Sequence, residues 1–145
     1  MARALVDATV VIAFADTADV DHDRGTAIVR GIDHGTLPTG VILHGALLES
    51  VNFVAERSRP EKAADLLNML EKSTHYRLPT PSEATVERGR AVFRQYPELS
   101  LADATQVAFM QDEGIDYVYS FDDDFDAVGG VTRVNSATNP FAGDS

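Results

Sequence analysis

The side chains in this sequence that could do chemistry are carboxylates, and they fall in a few separated places. Asp7 stands between Leu5-Val6 and Val10-Val11-Ile12, where an acid is costly to bury without a partner. It can serve as the cap of the helix that follows or as a functional acid. Asp103 ends Ser100-Leu101-Ala102-Asp103, the spacing of a helix N-cap and its N3 partner. It also shares a stripe with Val107 and Met110 on a helix that is apolar nearly all round, and such helices are buried. A buried aspartate needs a hydrogen-bond partner or a metal. Glu49 falls by helical periodicity opposite Leu47, Val51 and Val54 and beside Asn52 and Glu56, which is the pattern of a solvated face.

Asp122, Asp123, Asp124 and Asp126 form either an acidic turn or the start of a calcium loop. Such a loop requires glycine at its sixth position and glutamate at its twelfth. Those positions hold Ala127 and Arg133, so calcium binding of that kind is excluded. Asp19, Asp21 and Asp23 fail the same test at Arg24 and Arg30. The four histidines, His22, His34, His44 and His75, have no zinc-ligand spacing and read as surface or satisfied side chains. No phosphate loop, dinucleotide fingerprint or nucleophile elbow is present. The chain has no cysteine, which excludes disulfides and thiolate metal sites and fits a cytoplasmic protein.

The elements that must carry these acids alternate in type. Arg3 to Val6 reads as a buried strand ending at Asp7, and Thr9 to Ala15 as a helix. A second helix runs from His22 to His34. Leu37 to Leu43 is a strand with Pro38 at its edge. His44 to Glu56 is a helix with Leu47, Leu48, Val51, Val54 and Ala55 on its apolar face. Pro60 opens a further helix with Ala63, Leu66, Leu67 and Leu70 inward. His75 to Leu78 is a short strand, and Ser82 leads a helix that Pro97 stops. Ser100 to Glu113 is a helix closed by Gly114. Tyr117 to Phe121 and Val131 to Val134 are the last strands. Alternating strands and helices predict an α/β domain with a central, mostly parallel sheet flanked by helices. Ligands of such sheets sit beyond the carboxyl ends of the strands, where Asp7 and the Asp122 cluster both lie.

The length of 145 residues suits one domain, and residues 1–145 read as a single unit. No apolar run approaches the roughly 18 residues of a membrane span. The N-terminus meets Asp7 before a signal-peptide core could form. The net charge of −11 argues against a protein that coats nucleic acid, because phosphate neutralisation needs a basic surface. Lys62 and Lys72 are the sole lysines. Many acids with few lysines resemble the composition of halophilic proteins, and predict a stability that rises with molar KCl.

Four segments together resemble the PIN domain family, and in size and layout its VapC toxin branch. Leu5-Val6-Asp7-Ala8-Thr9-Val10-Val11 resembles the opening strand with the first acid. Leu47-Leu48-Glu49-Ser50-Val51 resembles the helix that bears the family glutamate. Leu99-Ser100-Leu101-Ala102-Asp103-Ala104 is similar to the helix opening with the third acid. Ser120-Phe121-Asp122-Asp123-Asp124-Phe125 is similar to the fourth motif. Ser120 and Phe125 favour Asp122 over Asp124 as the fourth acid. The resemblance, and not its own periodicity, makes Glu49 a site residue.

The resemblance implies a PIN-like fold and a metal-dependent endoribonuclease, the toxin of a toxin–antitoxin pair, with Asp7, Glu49, Asp103 and Asp122 as catalytic and metal-binding acids. Carboxylates about 4 Å apart repel by roughly 4 kcal/mol at an effective dielectric near 20. A cluster of them therefore binds cations, holds protons or spreads. Hard oxygen ligands suit Mg²⁺ or Mn²⁺. Asp124 would join through a water, and Ser120 and Thr9 would be supporting hydroxyls. The implied partners are an RNA substrate, a second copy in a homodimer and a small antitoxin, with no membrane. Arg57, Arg59, Lys62, Arg90 and Arg94 are candidate phosphate contacts or a solvated helix face. The alternatives are an RNA-processing nuclease outside a toxin system, a PIN-like module without catalysis, and a phosphoacceptor receiver domain. The last requires a late lysine, and none follows Lys72.

Overall fold

The computed structural model describes residues 2–142. Five strands form one parallel sheet in the order β3-β2-β1-β4-β5. They are β1 (Arg3–Val6), β2 (Thr39–Val41), β3 (Tyr76–Arg77), β4 (Tyr117–Tyr119) and β5 (Thr132–Val134). Between them run α1 (Ala8–Ala15), α2 (His22–Asp33), α3 (His44–Arg57), α4 (Pro60–Lys72), α5 (Glu83–Gln95) and α6 (Leu101–Glu113). A 3₁₀ turn at Asp123–Ala127 links β4 to β5, where an acidic turn is one of the sequence readings.

β1 is the central strand because both of its faces are apolar. Its alternation sends Ala4 and Val6 into one core with α1 to α4, and Leu5 into a second core with α5 and α6. All three are fully buried, and each fully buried aliphatic side chain of that size contributes about 2 kcal/mol. The β2 exit repeats the alternation, with Ile42 in the first core and Val41 and Leu43 in the second. Helices thus cover both faces, as expected of a parallel sheet. Ser82 and Ser100 cap α5 and α6, their hydroxyls accepting from the amides of Thr85 at 3.2 Å and Asp103 at 3.1 Å. Gly114 closes α6 with φ of 67°, a conformation that glycine adopts without steric cost. Gly89 lets α5 approach α6, since a Cβ there would lie 2.9 Å from the Thr105 Cα.

Two expectations change. The strand over Leu37 to Leu43 shortens to Thr39–Val41. Leu37 instead packs against Gly31 of α2, its amide bonded to the Gly31 carbonyl at 3.1 Å. The apolar face of α3 is also rotated. Its buried line is Ala46, Ser50 and Val54, while Leu48 and Ala55 are exposed. The small residues face inward because α3 packs closely on α1, and the Ser50 hydroxyl donates to the Ala46 carbonyl at 2.7 Å. Glu49 stays exposed, beside the buried Ser50.

The chain leaves β1 toward β2 and β3 on one side and reaches β4 and β5 on the other. The crevice between the ends of β1 and β4 is therefore the topological switch point, the usual ligand position in such sheets.

Candidate active site

A cavity of about 570 Å³ opens at that switch point. Asp7, Glu49, Asp103, Asp122 and Asp124 all line it, with Thr9, His44 and Gln106 among their neighbours. The end of β1, the start of α1, the first turns of α3, α5 and α6, and the turn after β4 meet there.

Asp7 is 4% exposed. It occupies the N-cap position of α1, yet its side chain makes no capping hydrogen bond. Its oxygens are used otherwise. Oδ2 accepts from the Thr9 hydroxyl at 2.8 Å and the Ser120 hydroxyl at 2.9 Å. Oδ1 accepts from Gln106 Nε2 at 3.1 Å. Hydrogen bonds to a charged group contribute about 2 kcal/mol each, which offsets much of the burial cost. Both hydroxyls are themselves held by backbone amides. Phe121 N donates to Thr9 Oγ1 at 3.1 Å, and Asp122 N donates to Ser120 Oγ at 2.9 Å. Such chains polarise one another, so the exit of β4 fixes Asp7 through two relays.

Asp103 sits one turn before Gln106 on α6, and Gln106 Nε2 also lies 3.4 Å from Asp103 Oδ1. One amide group thus faces both acids. Burial, then the Asp7 charge and then the Asp122 charge push the Asp103 carboxyl up to about 7, against a hydrogen bond from Ser100. Asp103 and Asp122 are also close enough to share a hydrogen bond. Glu49, on the cavity rim, is held above the ordinary carboxylate range by burial and by Asp7. Asp122 Oδ1 accepts from Asp124 N at 3.0 Å and caps the 3₁₀ turn. Asp124 is exposed, and its carboxyl is raised chiefly by Asp122.

Arg133 acts on Asp122 from a distance, but no ion pair reaches the cavity acids among the described residues. The ion pairs among the described residues are Arg3–Glu113, Arg24–Asp21, Arg88–Asp112 and Arg133–Asp126, none of which involves a cavity acid. The donor set is all oxygen, and a carboxyl raised by its neighbours marks a charge deficit that a divalent cation would fill. The residues present therefore fit a hard metal ion. Among the described residues, the acids offering three oxygens within 4.8 Å of one another are Asp122, Asp123 and Asp124. Asp7 and Asp103 are not part of so tight a group. Asp123 and Asp124 are exposed and already solvated, whereas Asp7 and Asp103 pay for their position by burial, so the cavity floor has the greater need of a cation.

The sequence reading left out two cavity residues. Gln106 is 4% exposed on an otherwise apolar helix face, which is the signal that could have found it. His44, read as a surface or satisfied histidine, is exposed but lines the cavity at the first residue of α3. Its position directly before the Glu49 helix turn was the available clue.

The PIN domain family model matches residues 4–131. The chain belongs to the PIN domain family. This match removes the receiver-domain alternative. Among solved structures, this PIN domain is similar to VapC20 of Mycobacterium tuberculosis, described as a sarcin–ricin-loop-cleaving toxin. The two are 23% identical, with 86% of this chain and 94% of the other covered and a TM-score of 0.74. It also resembles a chain of a toxin–antitoxin complex from Klebsiella pneumoniae at 17% identity, covering 94% of this chain and 98% of that one, with a TM-score of 0.64. A protein from Pyrobaculum aerophilum is 19% identical over 92% of this chain and 90% of its own, with a TM-score of 0.60. At these identities the likeness establishes the fold. No curated protein matches the chain. Among the described residues, no helix is long and apolar enough to cross a membrane.

Proposed function

We propose that this chain is a single-domain, metal-dependent endoribonuclease that acts as the toxin of a toxin–antitoxin pair. The observation that carries the reading is the convergence of Asp7, Glu49, Asp103 and Asp122 on one cavity at the switch point of a PIN fold. The toxin role is supported by the toxin and toxin–antitoxin relatives among the solved structures. That support favours it over an RNA-processing role outside a toxin system.

Asp7, Asp103 and Asp122 would hold one or two Mg²⁺ or Mn²⁺ ions, with Glu49 at the rim and Asp124 contributing through a water. The ion, when bound, supplies Lewis-acid activation of water and neutralisation of phosphate charge. The protein's own contribution is positional. Thr9 and Ser120 orient Asp7, and Gln106 keeps the Asp7 and Asp103 carboxylates in register. Asp103 would hold such a cation as a carboxylate, since a positive charge there would offset the burial and the Asp7 and Asp122 charges that raise its carboxyl. His44 lies at the mouth of the cavity, within reach of a strand entering it.

The antitoxin would be small and carry a basic segment. A net charge of −11 suits that partner through electrostatic complementarity, and an arginine or lysine placed in the cavity would occupy the cation's position. A homodimer follows from the same toxin reading. The acidic, lysine-poor composition supports adaptation to high salt, with a melting temperature that climbs as KCl is raised to molar levels. A flat or falling curve removes that part of the proposal.

The reading is tested by incubating purified protein with total RNA and Mg²⁺ or Mn²⁺ and mapping the new ends. Discrete cleavage that EDTA stops is the expected result. Intact RNA under all divalent conditions would refute the enzyme.

A further inference from the structure

Glu49, Phe53 and Arg57 recur at four-residue intervals and so form one stripe along α3. The stripe starts at the acidic cavity, where Glu49 is part of the lining, and ends about 12 Å away at the helix rise of 1.5 Å per residue. At its far end lies a second cavity of about 210 Å³, lined by Thr17, Phe53, Arg57, Ser58 and Lys62 with Asp16. The Arg57 guanidinium lies 5.0 Å from the centroid of the Phe53 ring, a stacking arrangement that leaves its edge free to donate. Arg57 and Lys62 are exposed, and neither belongs to an ion pair among the described residues. Asp16 puts one acid in the same lining, with its Oδ1 accepting from the Ala18 amide at 3.0 Å.

Two cations against one acid, beside two hydroxyls, are unexpected in a chain of net charge −11. Arg57 offsets the negative end of α3, on whose last turn it sits, whereas Lys62 lies in the first turn of α4, where the helix end is already positive. The balance at this cavity is therefore positive. A guanidinium fork, an ammonium and small hydroxyls are the donor set for a phosphate.

We infer that this cavity is a phosphate-binding subsite, occupied by the backbone of single-stranded RNA a few nucleotides from the bond that is cut. This rests on the ribonuclease reading above. The strand would run along the α3 stripe, with Arg57 and Lys62 clamping a phosphate and the Phe53–Arg57 stack presenting a flat face to a base. The subsite holds substrate and takes no part in the bond-breaking step, so its loss weakens binding.

The test compares the wild type with Arg57→Ala/Lys62→Ala in steady-state cleavage of a single-stranded RNA of about 12 nucleotides and of a dinucleotide. The double variant should raise KM for the long RNA roughly tenfold while kcat holds. It should reduce the salt slope of kcat/KM by about 0.7, as expected for one lost phosphate contact on a single strand. Dinucleotide cleavage should not respond, because the dinucleotide does not reach the subsite. Arg30→Ala/Lys72→Ala removes the same charge from two exposed helix ends and should leave KM near that of the wild type. A KM within twofold of wild type in the Arg57/Lys62 variant overturns the inference, as does an equal rise in the Arg30/Lys72 variant. Inorganic phosphate binding that the Arg57/Lys62 variant abolishes, with RNA kinetics unmoved, would assign the cavity to free phosphate and overturn it too. A wild type that cuts no RNA defeats the ribonuclease reading itself, and this subsite with it.

Discussion

Asp7 and Asp122 follow adjacent strands and face the same cavity, yet they are held in opposite ways. Asp7 is 4% exposed and takes hydrogen bonds from Thr9, Ser120 and Gln106. Asp122 is half-buried, caps a 3₁₀ turn and is followed at once by the exposed Asp123 and Asp124. One side of the site is a buried acid fixed by side chains from three elements. The other is a short acidic turn open to water. The difference indicates a division of labour. The buried side sets the geometry, and the exposed side adds charge that can be supplied by more than one residue.

The largest effect should follow from breaking the buried side. Asp7→Ala or Asp103→Asn should lower Mg²⁺-dependent RNA cleavage by at least about a thousandfold, the scale of losing a metal's several kcal/mol, while circular dichroism stays that of the wild type. Asp7→Ala removes a buried charge and leaves two hydroxyls without their acceptor, so its melting temperature reports the strain separately. Next come the hydroxyls. Ser120→Ala or Thr9→Val should reduce metal affinity or activity by about 10- to 100-fold, the usual weight of groups that orient a ligand. The exposed side should yield least. Asp124→Asn should cost about tenfold or less, and Asp123→Asn should be near wild type in the same cleavage assay. Equal losses for Asp123 and Asp7 would dissolve the contrast between the two sides.

The pH response sharpens the same contrast. The Asp103 carboxyl is pushed up to about 7 by burial, Asp7 and Asp122, whereas an unfolded aspartate titrates near 3.8. Between those values the folded chain keeps a proton that the unfolded chain has lost. Without metal, this group's stabilising effect is therefore full below about pH 4 and fades as pH rises through 7. In EDTA the melting temperature should fall between pH 5 and pH 8 by more in the wild type than in Asp103→Asn. Mg²⁺ should restore it most at pH 8, where the proton no longer competes. A wild-type slope identical to that of Asp103→Asn would contradict the assignment.

The parallel α/β class and the rim position of Asp7 and Asp122 were legible because apolar runs ending in an acid mark buried parallel strands. Glu49 was not legible from its own helix. Leu47, Leu48 and Val51 suggest a large apolar face, but α3 packs through Ala46, Ser50 and Val54, whose small side chains permit close approach to α1. Periodicity placed the glutamate on an exposed face, where it is, but carries no record that this face borders the cavity. Gln106 was missed for a related reason. A glutamine in a buried helix is conspicuous only once Asp7, 99 residues away in sequence, is known to lie against it. Likewise Leu37 looked like strand until its packing against Gly31 could be seen. In each case the deciding contact lies outside the residue's own element, and local pattern carries no record of it.

The central claim is that the buried acids, and not the acidic turn alone, create the cation site. Mn²⁺ binding followed by electron paramagnetic resonance tests it directly on the wild type, Asp7→Asn and Asp123→Asn at pH 7.5. The account predicts that Asp7→Asn weakens Mn²⁺ binding at least about tenfold while Asp123→Asn binds as the wild type does. Unchanged binding in Asp7→Asn, with loss in Asp123→Asn, would place the cation on the exposed turn and contradict it.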